Sequence, residues 1–423
     1  MKNLIGGKFV DASNGEKADV INPATNELID TVPLATEEDV DLCVKEAAKA
    51  QKGWAKMPLH ERGDILYKFA DLVEANHEEL AQLLSKETGK PIKEARAEIS
   101  NTKHFVHGYV EKAKHDYGNV IPAGSEVGQE KTMQITVQQP LGVVACIIPF
   151  NFPCDLFGQK VPSALIMGNS VIVKPSTDNP LTLHRYCELL KDAGVPDGVI
   201  NCISGRGSVT GNALAKHPQV ALISVTGSTE VGAEVMANAA ANITHVMLEL
   251  GGNDAFIVMD DADMELTMKE LVWGRLYNTG QVCCASKRFL VQKGIKDEFI
   301  KKAVETLQSL KVAMPQQEDA DIGCLINEKA AINAEEQVRK TLDQGATLVY
   351  GGRRNGAFFE PTILDNVTKD MDVMKDMEIF APVIPVCTFD TLDEALEIAN
   401  QSKFGLCGNI MTSDMKTAFK AAM

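Results

Sequence analysis

A chain of 423 residues exceeds what one hydrophobic core usually organises, so two domains with room for a small third module are expected. Apolar residues make up 45% and charged residues 24%, ordinary globular proportions that exclude a largely disordered chain. The net charge of −16 repels phosphate backbones and anionic membrane surfaces, so neither nucleic acid nor a membrane is an expected partner.

Residues 1–10 place one Lys before only a few apolar residues, and no later apolar run reaches about 18 uncharged residues. Neither secretion nor a membrane span is expected. From Thr36 to about Tyr117 the pattern is helical: Thr36 followed by Glu37, Glu38 and Asp39 makes a capped, acidic start, and Pro58 and Pro91 open later helices. Residues 118–138 turn to Gly, Pro and Ser and then to alternating Met133, Ile135 and Val137, the pattern of a protruding β-ribbon that meets another subunit.

From Leu141 the runs LGVVACIIPF, SVIVKPS, GVINCIS, VALISVTGS and THVMLELGG alternate with helical stretches at 180–193 and 228–241. This is the texture of a parallel sheet covered on both faces, whose carboxyl strand ends favour dinucleotides. After Gly252 the alternation restarts with DAFIVMD, a helix at 263–277, KRFLVQKG, a helix from Ile295, ATLVYGG and VIPVCTF. The expected architecture is two Rossmann-type α/β domains: 1–117 with 139–250, then 251–423, with 118–138 as the ribbon.

Ten cysteines, from Cys43 to Cys407, show no CxxC pair and no matching His spacing, which suits reduced thiols in a cytoplasmic protein and no metal site. Two are adjacent in the stretch from Asn278 to Ala285, NTGQVCCA. A cysteine after a Gly-containing turn and before a strand can expose its sulfur and free its own N–H, as a nucleophile requires. Only one of Cys283 and Cys284 can face a cleft there, and taken alone a turn cysteine is more often an inert thiol. In LELGG, Glu249 ends an apolar strand and two glycines permit close backbone approach. It reads as a general base raised by an apolar setting, or as a carboxylate held by turn N–H groups. In PFNFP, Asn151 can donate to an oxyanion or simply form an Asx turn. Lys174 ends a strand with a cation, and SVTGSTEVG passes through Gly227 into a helix start suited to a pyrophosphate. The loop at 205–211, GRGSVTG, reads equally well as an ordinary turn.

Together these segments resemble the aldehyde dehydrogenase superfamily, from residue 3 onward. NPAT at 22–25, PFNFP at 149–153, VKPS at 173–176, VTGSTEVG at 225–232, LELGG at 248–252, NTGQVC at 278–283 and EIFAP at 378–382 occur in the family's order. The resemblance implies that Cys283 attacks an aldehyde, that its N–H and Asn151 hold the oxyanion, and that Glu249 activates water to hydrolyse the thioester left after hydride transfer to NAD or NADP. It further implies that Lys174 and Glu378 hold the ribose groups, that Phe380 flanks the nicotinamide, and that Gly227 and Ser228 meet the pyrophosphate. Ile147, Pro149, Ser176, Thr177, Gly207, Gly211, Val231 and Leu250 complete the implied coenzyme set. Phe150, Gln159, Tyr277 and Cys284 are assigned to the substrate tunnel, and a homodimer or homotetramer is expected.

Departures narrow the expectation. Ala381 replaces the Gly of EIFGP, and Phe150 replaces a commoner Trp. Thr177 stands where NAD-preferring members often carry a Glu, so a 2′-phosphate is not repelled. The wording of KETGKPIKEARAEI, GRLYNTGQVC and KRFLVQKGI is similar to bacterial succinate-semialdehyde dehydrogenases and to lactaldehyde and glycolaldehyde dehydrogenases. Enzymes of the first kind usually place tunnel arginines where this chain has Gln159 and Tyr277, which favours small neutral aldehydes beside succinate semialdehyde. The family normally continues some tens of residues past Met423 with a pairing strand, and a chain ending there is expected to associate poorly. Two alternatives stand beside hydrolysis: a CoA-acylating enzyme, against which Glu249 argues, and a catalytically silent member.

Overall fold

The computed structural model describes residues 1–423. They form two compact units: Met1–Val20, Asp30–Ala81 and Arg96–Glu249 make the first, and Ile21–Ile29, Gln82–Ala95 and Leu250–Met423 the second. Each is built on a mostly parallel sheet, the α/β class that alternating short apolar runs and helices predict. No helix is long and apolar enough to cross a membrane.

In the first unit, seven strands lie in the order His245–Glu249, Val220–Thr226, Val143–Ile147, Ser170–Lys174, Ile200–Cys202, Asn3–Ile5, Lys8–Val10. The first five are parallel. Chain order runs outward in both directions from Val143–Ile147, so the strand order reverses at that strand, where open α/β sheets keep a ligand crevice at their carboxyl ends. Helices cover both faces for the expected reason, since the central strands are buried along nearly their whole length. Helix Glu37–Trp54 starts in a capping box between Thr36 and Asp39 and lays Val40, Cys43, Val44 and Ala47 on Ala145, Ile172 and Ile223. Elsewhere in the unit, Phe69, Phe157 and Tyr186 pack ring against ring at 5.2–6.2 Å, and the Tyr186 hydroxyl meets that of Thr102 at 2.9 Å.

Two readings of this unit change. The strand His245–Glu249 is not a covered, apolar one: it is the sheet's edge, paired only with Val220–Thr226, and every second residue faces outward, Met247 being 59% exposed. The amino-terminal pair Asn3–Ile5 and Lys8–Val10, three residues each, is too short to give a periodic signal. Within 118–138 the ribbon is reduced to Val120–Ile121 paired antiparallel with Gln134–Ile135. Its apolar side chains are unburied, Met133 at 63%, Ile135 at 61% and Val137 at 67% exposed.

The second unit carries six strands in the order Thr347–Tyr350, Thr362–Val367, Val383–Phe389, Ser286–Gln292, Asp254–Val258, Gly408–Met411, antiparallel only at the first pair. Phe256, Phe289 and Phe299 centre one core layer. Leu290, Leu364 and Phe389 lie in the other, where the helix Glu328–Asp343 contributes Ala331, Ala334 and Val338. The helix expected at 263–277 is α-helical only over Met264–Leu271, after Asp263 caps it, and then widens to a π-turn at Val272–Leu276. That widening leads directly into the turn before Cys283.

Candidate active site

The turn bearing Cys283 is held in a conformation that the chain would not adopt alone. Asn278, Thr279 and Gly280 have consecutive left-handed φ values of 51°, 55° and 77°. For the β-branched Thr279 this strain is on the order of 1–3 kcal/mol and persists only where surroundings impose it. They do. The Asn278 N–H donates to Glu94 Oε2 at 2.8 Å, Gly323 N–H to Thr279 Oγ1 at 3.2 Å, and Ile326 N–H to Gln281 Oε1 at 2.9 Å. Gln281 Nε2 returns to the Asn278 carbonyl at 3.1 Å.

Glycines set the approach distances. A Cβ on Gly280 would lie 2.6 Å from the Ala381 carbonyl carbon, one on Gly252 2.7 Å from the Cys283 carbonyl oxygen, and one on Gly251 2.6 Å from Glu378 Oε2. The two glycines of LELGG therefore admit the Cys283 backbone and the Glu378 carboxylate to the same few ångströms. Arg275, fully buried, fastens the neighbouring segment: its guanidinium donates to the carbonyls of Val383 at 2.6 Å, Ile379 at 2.9 Å and Gly280 at 3.4 Å, and to that of Ala381. Burial brings its pKa down to about 9. Phe380 thus sits on a strap tied to the nucleophile turn.

Cys283 is half-buried and Cys284 exposed. The Cys283 thiol is pushed up, chiefly by its hydrogen bond with Cys284 and then by burial, while Cys284 is brought down to about 6 because Cys283 donates to it. The pair's first ionisation is therefore eased and its second hindered, and transfer of the Cys283 proton to Cys284 moves the charge to Cys283. Lys287 favours the thiolate on either sulfur.

In the first unit, adjacent parallel strands bring Glu249, Thr226, Ile147 and Lys174 to one edge of the sheet: Thr226 is level with Glu249, and Ile147 with both Val225 and Lys174. Glu249 is exposed there, not in the apolar setting its sequence suggests, because its strand is the edge. The Gly227 N–H is spent on the Glu249 carbonyl at 3.0 Å, and Ser228 caps helix Thr229–Ala239 by accepting the Val231 N–H at 3.3 Å. Asn151 is buried two residues before helix Pro153–Ile166, whose first N–H groups, of Cys154 and Asp155, donate to Glu98 Oε1 at 2.8 and 3.3 Å. Asn179 Nδ2 holds the half-buried Phe150 by its carbonyl at 2.9 Å; Pro149 is likewise half-buried, and Gln159 is exposed on that helix. Ser176 Oγ accepts the Asp178 N–H at 3.3 Å, leaving Thr177 half-exposed. Gly207 and Gly211 bound a short helical turn; a Cβ on Gly211 would touch Ile147 Cδ1 at an ordinary 3.8 Å, and one on Gly207 would meet nothing within 4 Å. Leu250 is half-buried and opens the longest segment of the second unit, where Tyr277 packs at a tilt against the exposed Trp273, ring centroids 4.7 Å apart.

Lys174 is 5% exposed, donates only to the Pro175 carbonyl at 3.0 Å, and is brought down to about 8 by burial. The Thr226 hydroxyl, at the same sheet edge, is buried without a hydrogen-bond partner. A buried cation and an orphaned hydroxyl at the carboxyl ends of parallel strands suit the ribose and phosphate oxygens of such a coenzyme.

Residues 9–423 match the model of the aldehyde dehydrogenase family. The chain belongs to the aldehyde dehydrogenase family. It is 38% identical over 430 residues to the D-glyceraldehyde dehydrogenase (NADP(+)) of Picrophilus torridus, covering all of this chain and 86% of that protein. It is 37% identical to the lactaldehyde dehydrogenase of Escherichia coli, with 99% and 87% covered. The crystal structure of succinate-semialdehyde dehydrogenase from Burkholderia pseudomallei superposes with a TM-score of 0.96 at 35% identity, covering all of this chain and 87% of that one. The fold and the oxidoreductase class expected from the motifs are those of this family.

Three residues of this aldehyde dehydrogenase escaped sequence reasoning: Glu94, Arg275 and Lys287. The last leaves a signal in hindsight, since Lys287 and Arg288 directly precede the buried apolar run Phe289–Val291 of their strand. Glu94 is 7% exposed, and burial raises its carboxyl to about 7, partly offset by the Asn278 N–H. The folded chain therefore retains a proton that the unfolded chain releases above its ordinary value of 4.5. The associated stability is full below that value and is lost as pH rises through about 7, a change on the order of 3 kcal/mol. Urea titrations of Glu94→Gln between pH 5 and 8 are expected to show a flatter stability profile than the parent; parallel profiles would contradict this.

Proposed function

We propose that this chain oxidises a small aldehyde to its carboxylic acid with NAD or NADP, using Cys283 as covalent nucleophile. The observation that carries the reading is the turn at 278–283, strained, glycine-fitted and strapped to the Glu378–Phe380 segment, in a chain of this family. The Cys283 thiolate adds to the aldehyde carbon, forming a C–S bond. The resulting oxyanion takes hydrogen bonds from the Asn151 side-chain amide and the Cys283 N–H. The coenzyme, when bound, supplies the hydride acceptor. Lys174, Ser176, Thr177, Gly227, Ser228, Glu378 and Phe380 would hold it. Glu249 then takes a proton from the water that attacks the thioester, and the C–S bond breaks to return the thiolate. Exposure lets Glu249 exchange that proton with solvent. A base for water favours hydrolysis over transfer to CoA. The unburied ribbon at 118–138 is the proposed subunit contact.

Succinate semialdehyde, lactaldehyde, glycolaldehyde and D-glyceraldehyde are the candidate substrates. Gln159 and Tyr277 supply no cation for a distal carboxylate, which favours the neutral aldehydes. Thr177 leaves no carboxylate to repel a 2′-phosphate. Initial rates over these four aldehydes with each coenzyme test the reading. Turnover with NADP, and kcat/KM for a neutral aldehyde within about a hundredfold of that for succinate semialdehyde or above it, is expected. No turnover with NADP at saturating aldehyde, or a larger preference for succinate semialdehyde, would overturn the respective assignment.

A further inference from the structure

Lys287 stands four residues after Cys283, second in the strand Ser286–Gln292, with its side chain 1% exposed. Its ammonium donates to the Cys283 carbonyl at 2.6 Å, lies 3.1 Å from Glu378 Oε1, and sits 5.7 Å from the centroid of the Phe380 ring. A buried ammonium is costly unless paired and hydrogen-bonded. A structural ion pair would need only Glu378. Here the same ammonium also grips the carbonyl of the proposed nucleophile, whose oxygen would lie 2.7 Å from a Cβ placed on Gly252. The Cys283 carbonyl is therefore bonded to a cation at a point where only a glycine fits beside it. Glu378 sits in the same way, with Oε1 3.1 Å from the Lys287 ammonium and Oε2 where a Cβ on Gly251 would fall within 2.6 Å.

We propose that Lys287 is a positioning residue that locks the backbone of Cys283 to the Glu378–Phe380 segment and so sets coenzyme affinity and nucleophile reactivity together. This rests on the reading that Cys283 attacks the aldehyde and that Glu378 and Phe380 hold the coenzyme. Paired through Oε1 with Lys287 and fitted against Gly251 at Oε2, Glu378 has fewer orientations to lose when it accepts hydroxyl groups. Without the ammonium the half-buried carboxylate loses its ion-pair partner and is free to swing away. The groups facing this ammonium and the thiol are Glu378, Asp254, Arg275, Cys283 and Cys284. The Lys287 charge, like the Cys284 N–H, favours a Cys283 thiolate, so loss of that charge moves thiol ionisation upward.

Lys287→Met in the full chain tests the proposal through steady-state kinetics and the pH dependence of iodoacetamide labelling at Cys283, with circular dichroism as the check on folding. Expected are a coenzyme KM raised about tenfold, an aldehyde KM within about twofold, and a labelling midpoint about half a pH unit higher. A folded variant that changes only in Tm, with coenzyme KM and labelling midpoint unmoved, would make Lys287 a purely structural residue and overturn the proposal. Should Lys287→Met not accumulate folded, Lys287→Arg carries the test. It keeps the charge but not the compact geometry, so the labelling midpoint should hold while coenzyme KM rises about fivefold; an unchanged KM would overturn the proposal equally. If Lys287 variants behave as the parent while Cys283→Ser is inactive, this inference fails and the proposed function stands.

Discussion

Replacing Cys283 by serine is expected to lower kcat about ten-thousandfold or more with every aldehyde, while Tm moves by no more than about 2 °C. Serine nearly matches cysteine in volume, so the half-buried turn keeps its packing. Its hydroxyl ionises far above the working pH, however, and neither the neighbouring Cys284 nor the Lys287 charge brings it into range. Cys284 does not rescue the variant, because its side chain leaves the backbone in another direction and is exposed. Losing Cys284 instead should cost far less, about tenfold at most, through the altered ionisation of its neighbour. Initial rates of coenzyme reduction over the same aldehyde panel decide both. A Cys283→Ser enzyme within about tenfold of the parent would remove the basis of the proposed chemistry.

Gly280→Ala is the second large effect. The new methyl would meet backbone on every near side: the Ala381 carbonyl carbon at 2.6 Å, its oxygen at 2.7 Å and the Pro382 nitrogen at 2.7 Å. The residue must also hold a φ of 77°. Left-handed strain and overpacking together amount to about 3 kcal/mol. The chain can relieve them only by parting the nucleophile turn from the strap that carries Glu378 and Phe380, and a 1 Å misplacement there costs about a hundredfold in kcat/KM. Gly294→Ala is the control, since nothing lies within 4 Å of its missing Cβ. Equal Tm and activity for the two variants would show that the close approach at Gly280 is dispensable.

The features legible in the sequence are those written in local chemistry. Short apolar runs between helices announce parallel sheets, Thr36 with Asp39 announces a helix start, and the glycines of LELGG and NTGQVC mark positions where a Cβ would collide with backbone or carboxylate. Features that depend on distant partners were not legible. Glu94 acts on Asn278 across 184 residues, and Arg275 reaches Val383 across 108. Lys287 is near Cys283 in sequence, yet its meaning comes from Glu378 and Phe380, some ninety residues on. Edge position was equally hidden: LELGG reads as a covered strand, but only pairing tells that His245–Glu249 has one neighbour and that Glu249 faces outward.

The central claim is that the acyl group is carried by one particular sulfur. Slowing hydrolysis with Glu249→Gln, mixing with aldehyde and coenzyme, quenching in acid and mapping peptides by mass measures it directly. The account predicts one acyl group per chain on Cys283, appearing together with one equivalent of reduced coenzyme. Acyl on Cys284, or reduced coenzyme formed steadily with no acyl on either cysteine, would contradict it.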